Sequence, residues 1–297
     1  MNLLPILDIR SIIGCRSNLR LDDPLRFALN HMAAVRLPLA AFFALARDVG
    51  IVEVEIRNDL AGTAILDGTL PEDVRAQASA AGVNILSINA LQRFNSWDAE
   101  RAAEAAVLAD YARNCGAAAL VLVPLNDGSG REDGARQRNL RKALRELSPI
   151  LSARGLTGLV EPLGFESCSL RSKREAMAAI VSEGGPFKLV HDTFHHHLAG
   201  DGELFAEATG LVHISGVTDA RIGVAEMRDS HRVLVDGDDR LDSIGQVRAL
   251  LAAGYQGPLS FEPFATRICT STNPGPALRA SRDFVVESLR ASAPAGG

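Results

Sequence analysis

The chain has 297 residues, of which 47% are hydrophobic and 23% are charged, and its formal net charge is −5. This composition is typical of a folded protein with one large or two modest domains, and it excludes a collagen, a coiled coil and a disordered chain. The negative net charge argues against a protein that binds along a nucleic-acid backbone, because such binding needs clustered positive charge.

Short apolar runs alternate with segments of helical spacing from one end of the chain to the other. Eight of these runs are predicted to be strands, and most are continuously apolar, which is typical of strands that are covered on both faces. The predicted strands comprise residues 3–9, 51–56, 83–88, 118–124, 157–162, 187–192, 211–215 and 258–262.

The segments between the strands have the spacing of crossover helices. Leu140, Leu144, Leu147 and Leu151 recur at helical intervals, and residues 105–115 do so more weakly. Five of the predicted strands follow shortly after a glycine, which tolerates the positive φ that a helix-to-strand turn requires. These glycines are Gly50, Gly82, Gly116, Gly155 and Gly254.

Eight strand–helix units predict a single (β/α)8 TIM barrel, since an open doubly wound sheet, the alternative, has no preference for eight strands. We expect this barrel to span residues 1–290 and a flexible tail to follow at residues 291–297. The four cysteines are scattered without a CxxC pair and are expected to be reduced thiols. With no targeting segment and no apolar run of about 18 residues, the sequence predicts a cytoplasmic protein without membrane contact.

Four successive predicted strands in the second half of the chain end in a residue that can bind a metal ion. In a (β/α)8 barrel these ends lie at the catalytic face, and neighbouring strands are only about 5 Å apart, so side chains from four strands can converge on one ion. Three carboxylates and one imidazole form a mainly oxygen site, which suits Mn²⁺, Mg²⁺ or Co²⁺ better than structural zinc. The predicted ligands of this divalent ion are Glu161, Asp192, His213 and Glu262.

Other polar residues are expected to surround the metal and to contact a substrate that carries hydroxyl groups. The predicted substrate-binding residues are Glu55, Asn89, His195 and Arg232. Phe94 and Trp97 follow the third predicted strand and have two interpretations, as apolar walls of the pocket or as core residues. Asp229 and His231 belong to the long seventh loop, which is either the rim of the pocket or a solvated loop.

With this quartet of ligands the chain resembles the xylose-isomerase-like TIM-barrel superfamily, which comprises sugar isomerases, epimerases and endonuclease-IV-type nucleases. The resemblance covers nearly the whole chain and includes the segment Asp-Thr-Phe-His at 192–195. It implies that Glu161, Asp192, His213 and Glu262 hold the metal. It also implies that Glu161 and Glu262 act as base and acid in a proton transfer through a cis-enediolate. The implied metal is Mn²⁺, with Mg²⁺, Co²⁺ and Zn²⁺ as alternatives.

The substrate implied by the resemblance is a small polyhydroxy ketone, with no nucleic-acid or membrane partner and with a homodimer left open. The length and the segments His-Ile-Ser-Gly and His-Arg-Val favour an isomerase of 2-keto-myo-inositol, an inosose. The alternatives are a ketohexose 3-epimerase, a hydroxypyruvate isomerase, an inosose dehydratase, which is a lyase, and a protein that binds sugar or metal without turnover. A nuclease is disfavoured because the exits of strands two and three, EIRND and SINALQRF, carry no histidine, although Asp229 and His231 resemble a nuclease zinc pair.

Overall fold

A computed structural model of the protein describes residues 25–60, 62 and 64–291. Eight parallel strands close into a barrel in chain order, and the last strand pairs with the first. The strands are β1 (Phe27–Asn30), β2 (Glu53–Arg57), β3 (Asn84–Gln92), β4 (Ala119–Val123), β5 (Thr157–Val160), β6 (Phe187–Asp192), β7 (Thr209–Ile214) and β8 (Leu259–Phe261). The predicted (β/α)8 TIM barrel is therefore confirmed.

The first barrel strand is not where the sequence analysis placed it. The predicted strand at residues 3–9 lies outside the described residues, and the strand that pairs with β2 and β8 is Phe27–Asn30. This strand has only four residues and leads directly into a 3₁₀ turn at His31–Ala34. A strand of four residues gives a weaker periodic signal than the longer apolar run at residues 3–9. The other seven strands overlap their predicted ranges.

Helices surround the barrel, and five of them are followed by the predicted turn glycines, which adopt positive φ values. The helices are α1 (Leu39–Asp48), α2 (Ala64–Asp67), α3 (Pro71–Ala81), α4 (Ala99–Cys115), α5 (Ala135–Ser152), α6 (Lys173–Glu183), α7 (Thr193–Ala199), α8 (Ser243–Ala252), α9 (Thr266–Cys269) and α10 (Gly275–Ala291). The α4 helix begins where the side chain of Asp98 accepts a hydrogen bond from the amide of Arg101, and it ends at Gly116 with a φ of 86°. The α5 helix buries the predicted leucine face against the barrel.

The apolar core has two parts, which follow from the alternation of side chains along each strand. On β4, Leu120 and Leu122 belong to the large core between the sheet and the helices, whereas Ala119 and Val121 belong to a smaller cluster. Toward the carboxyl ends of the strands the buried side chains become polar, and this polar layer positions the site. None of the described helices has the length and apolar character needed to cross a bilayer.

The last helix reaches the start of the predicted tail, and three of the four cysteines lie in the described part of the chain. The α10 helix ends at Ala291, and residues 292–297 of the expected tail lie outside the described residues. Cys115, Cys168 and Cys269 are buried free thiols. Burial raises the pKa of each of these three thiols to about 11, which keeps them protonated at neutral pH.

Candidate metal centre and active site

Four buried side chains meet at the carboxyl ends of β5 to β8. Asp192 ends β6, His213 is the penultimate residue of β7, and Glu161 and Glu262 follow directly after β5 and β8. One potential ligand atom from each of these four residues lies within 4.8 Å of the others. The Nδ1 atom of His213 lies 2.8 Å from Oε1 of Glu161, 3.2 Å from Oε2 of Glu262 and 3.8 Å from Oδ2 of Asp192. One imidazole nitrogen therefore faces three carboxylates.

The donor set fits a divalent cation. Three carboxylates in a buried space repel one another unless positive charge lies among them, and a divalent cation supplies such charge. Carboxylate oxygens with one imidazole nitrogen are ligands that Mn²⁺, Mg²⁺, Co²⁺ and Zn²⁺ accept. The structure thus brings together all four residues that the sequence analysis selected as ligands.

Arg232 supplies part of the positive charge next to this cluster. Its Nη2 atom lies 2.6 Å from Oδ2 of Asp192 and 3.0 Å from Oε2 of Glu262. The guanidinium is 1% exposed and lies between the rings of Phe194 and Phe264, at 5.1 and 4.6 Å from their centroids. Burial alone would raise the pKa of Asp192, but the charge of Arg232 holds that pKa well below its usual range.

Glu55 lies beneath the cluster and not in the pocket. Its carboxylate is fully buried and accepts hydrogen bonds from Ser87 Oγ at 2.7 Å, from Asn30 Nδ2 at 3.3 Å and from Ser260 Oγ. It also lies 3.1 Å from Nε2 of His213. The expected contact between Glu55 and a substrate therefore does not fit its depth in the barrel. Its neighbours assign it to the support of His213.

The carboxylates control the charge of the buried imidazole. Burial alone would lower the pKa of His213, but Glu262, Glu55 and Glu161 raise that pKa well above its ordinary value. In the same way, burial would raise the pKa of Glu55, but the charge of His213 and the hydrogen bonds of the two serines lower it to about 2. His213 and Glu55 therefore stabilise each other in their ionised forms, whereas burial raises the pKa of Glu262 to about 7.

A cavity of about 370 Å³ opens above the cluster. Three of the predicted substrate-binding residues line it, namely Asn89, His195 and Arg232. The Nδ2 atom of Asn89 and the Nδ1 atom of His195 are buried and have no hydrogen-bond partner among the described residues. Buried polar atoms are normally paired, so these two atoms are available to a ligand in the cavity.

The apolar walls of this cavity come from residues that the sequence analysis did not select. Phe165 and Phe264 line it, whereas Phe94 is fully buried in the core and Trp97 packs against that core. The core interpretation of Phe94 and Trp97 is thus the one that holds. Phe264 lies two residues and Phe165 four residues beyond a candidate ligand glutamate. Aromatic residues in the loops directly after the ligand strands could therefore have been recognised as pocket walls.

Arg57, at the end of β2, contributes a further charged side chain to the cavity wall. Its Nη1 atom lies 3.0 Å from Oε1 of Glu262, while Nε and Nη2 donate to the two carboxylate oxygens of Asp59 at 2.8 and 2.6 Å. Glu262 therefore lies between two arginines, Arg57 and Arg232.

The two polar residues of the seventh loop, Asp229 and His231, have different surroundings. Asp229 lines the cavity and lies 3.2 Å from Nη1 of Arg232. His231 does not line it, and its Nδ1 atom accepts a hydrogen bond from the amide of Arg228 at 3.0 Å. The loop is thus a rim at Asp229, and the two residues form no joint metal site with the cluster.

Comparisons with known proteins agree with this geometry. A family described as the xylose isomerase-like TIM barrel matches residues 43–288. A xylose isomerase domain-containing protein from Salmonella typhimurium LT2 has 34% sequence identity and a TM-score of 0.82, over 89% of this chain and 97% of that chain. The IOLI protein, whose structure has a bound zinc atom, has 20% identity and a TM-score of 0.80, over 91% of this chain and 100% of that chain.

An L-ribulose 3-epimerase has 19% identity and a TM-score of 0.67, over 92% of this chain and 100% of that chain. None of the curated proteins matches the sequence. At these identities the IOLI protein and the epimerase share the fold, whereas the family match covers most of the chain. The chain belongs to the xylose isomerase-like TIM barrel family.

Proposed function

We propose that the protein is a divalent-metal-dependent isomerase or epimerase of a small polyhydroxy ketone. The observation that carries this proposal is the placement of Glu161 and Glu262 in the wall of one cavity, at 2.8 and 3.2 Å from the same imidazole nitrogen of His213. Two carboxyl groups at the floor of a pocket can serve as base and acid for one substrate. The family contains enzymes of this kind, which supports the proposal.

In the proposed reaction, the carboxylate of one glutamate removes the proton from the carbon next to the substrate carbonyl. The substrate becomes a cis-enediolate. In an isomerase, the other glutamate returns a proton to the former carbonyl carbon, and the proton of the adjacent hydroxyl group moves to the former carbonyl oxygen. In an epimerase, the other glutamate returns a proton to the opposite face of the same carbon. The metal, held by Glu161, Asp192, His213 and Glu262, would supply Lewis-acid stabilisation of the negative charge that develops on the substrate oxygens. This charge appears only during the reaction, so its stabilisation accelerates turnover.

The walls of the cavity orient the substrate. The unpaired Nδ2 atom of Asn89 and Nδ1 atom of His195 are placed to hydrogen-bond to hydroxyl groups. Arg57 and Arg232 fix the carboxylate of Glu262 from two sides. Phe165 and Phe264 provide apolar surface for the C–H face of a sugar and limit the access of water.

The proposed substrate is 2-keto-myo-inositol, and the proposed metal is Mn²⁺. A six-membered ketone suits a cavity of about 370 Å³, and the likeness to the IOLI protein supports this choice. A ketohexose 3-epimerase is the second candidate, supported by the likeness to the L-ribulose 3-epimerase. The nuclease alternative would need histidine ligands in the loops directly after β2 and β3. All seven histidines of the chain lie in the described part, and none of them is in those two loops.

Proton NMR in D₂O tests the proposal. The Mn²⁺-loaded protein and a chelated control are incubated with 2-keto-myo-inositol and with a panel of ketohexoses. We expect metal-dependent loss of the signal of a C–H next to the carbonyl, together with the signals of a new isomer. A protein that binds metal fully and exchanges no proton in any of these ketones is not the enzyme proposed here.

A further inference from the structure

A second cavity of about 710 Å³ adjoins the cavity above the metal cluster. The two cavities share three wall residues, Asn126, Phe165 and Asp229, so they lie side by side. The inner cavity alone, at about 370 Å³, is near the lower end of the range of about 300–1,000 Å³ that is common for ligand clefts. The outer cavity therefore adds space that one small ketone does not fill.

The walls of the outer cavity combine apolar and polar surface. Phe165, Leu198 and Val224 provide apolar surface, and Val224 is 45% exposed. Asn126 and Arg228 provide polar groups beside that surface. A pyranose ring has an apolar face of C–H groups and an edge of hydroxyl groups. This wall of aromatic and aliphatic carbon with adjacent hydrogen-bonding groups matches both parts of such a ring.

Hydrogen bonds to backbone carbonyls hold these walls in place. Arg171 donates to the carbonyl of Gly164 from Nε and Nη2 at 3.1 and 2.9 Å, and to the carbonyl of Leu198 at 3.4 Å, which joins the loop after β5 to α7. Arg228 donates to the carbonyl of Ala225 at 2.9 Å and braces the seventh loop. A cavity with braced walls loses less conformational entropy when a ligand binds.

From this adjacency and wall chemistry we infer that the natural substrate is a two-ring glycoside, in which the ketone of the proposed function is one ring. The polyhydroxy ketone occupies the inner cavity, and a second pyranose ring linked to it occupies the outer cavity. Phe165 and Asp229 stand at the junction and contact both parts. This inference rests on the proposed function for the inner ring and extends it to the size and linkage of the substrate.

The test compares the binding of two ketoses to the full chain by calorimetry. D-Fructose fits the inner cavity only, whereas isomaltulose carries a glucosyl ring on the fructose unit. We expect isomaltulose to bind about tenfold more tightly, because burial of about 60 Å² of apolar sugar surface at about 25 cal/mol per Å² corresponds to that factor. The variants A225W and V224D, which fill the outer cavity and place a charge on its apolar wall, should abolish the advantage of isomaltulose. The control V107W changes a residue that is 71% exposed on α4 and should retain it.

Each outcome decides between the alternatives. Equal affinities for the two sugars, an advantage of isomaltulose that survives A225W or V224D, or an advantage that V107W also loses would overturn the inference and leave the proposed function intact. Failure of both sugars to bind the metal-loaded protein would overturn the inference, whereas the proposed function is tested separately by proton exchange in 2-keto-myo-inositol. An advantage lost in both outer-cavity variants and kept in V107W supports a two-ring substrate.

Discussion

The Nε2 atom of His213 lies 3.1 Å from a carboxylate oxygen of Glu55, on the opposite side of the imidazole ring from the three candidate metal ligands. Metal-binding histidines commonly donate their second N–H to a carboxylate, which fixes the tautomer and the orientation of the ring. Every polar group around Glu55 faces it as a donor, from Asn30, Ser87 and Ser260. Glu55 is therefore placed as a positioning residue for His213.

We expect Glu55→Gln to weaken metal binding by about 10–100-fold, because an amide NH₂ cannot accept from the donors that surround it and the ring of His213 loses its anchor. Competition with a chromophoric chelator measures the affinity, and the absorption spectrum of bound Co²⁺ reports the ligand geometry. His213→Ala should lose the metal altogether in elemental analysis. Glu53→Gln, on the same strand but paired with Arg26, is the matched control. Unchanged affinity and spectrum in Glu55→Gln would refute the positioning role.

The second prediction concerns the two glutamates in the pocket. Glu161→Gln and Glu262→Gln should each reduce proton exchange in the ketone by at least about 10²-fold, because an amide can neither accept nor deliver the proton. The rate is measured by NMR in D₂O at a metal concentration where elemental analysis gives full occupancy. Circular dichroism checks that the variants are folded. A near-wild-type rate in either variant would remove that glutamate from the acid–base pair.

Much of this site could be predicted because its residues carry local signals. Each of the four candidate ligands lies at or next to the end of a short, largely apolar run, and a barrel brings such ends together. The turn glycines could also be predicted, and Gly50 and Gly254 adopt the expected positive φ values of 75° and 95°. A positive φ is a property of one residue and its neighbours, so the sequence carries it directly.

Depth in the barrel could not be predicted in this way. Glu55 and Arg57 alternate with Ile56 along β2, which indicates that both charged residues face the same side of the strand. Their heights depend on the pairing of β2 with its neighbours, where Glu55 lies opposite Asn30 and Ser87. Register is a relationship between strands, and with the first strand misplaced, nothing local separated a residue beneath the metal from one in the pocket.

The third prediction follows from the buried charge of Arg232. Arg232→Met should lower the free energy of unfolding of the metal-free protein by about 3–5 kcal/mol, because Asp192 and Glu262 would lose a buried partner. Added Mn²⁺ should reduce this deficit, since the cation supplies the missing positive charge. Urea unfolding with chelator and with Mn²⁺ measures both effects. Arg221→Met, at an ion pair whose arginine is 89% exposed, should change stability little. A deficit that is absent without metal, or unaffected by it, contradicts this account.

The fourth prediction concerns Lys173, whose Nζ atom lies 2.6 and 2.8 Å from the Nδ1 atoms of His191 and His196. Burial lowers the pKa of Lys173 to about 7, although the negative charges of Asp201 and Asp192 act to raise it. Between about pH 7 and 10 the unfolded chain therefore binds a proton that the folded lysine has lost, so the free energy of unfolding rises with pH by up to about 1.4 kcal/mol per pH unit. Urea unfolding across this range should reveal the rise in the wild type and in Lys188→Met, which removes an exposed lysine of β6, but not in Lys173→Met. Parallel stability curves for the wild type and Lys173→Met would mean that the buried lysine keeps its proton up to the pH at which the unfolded chain loses it.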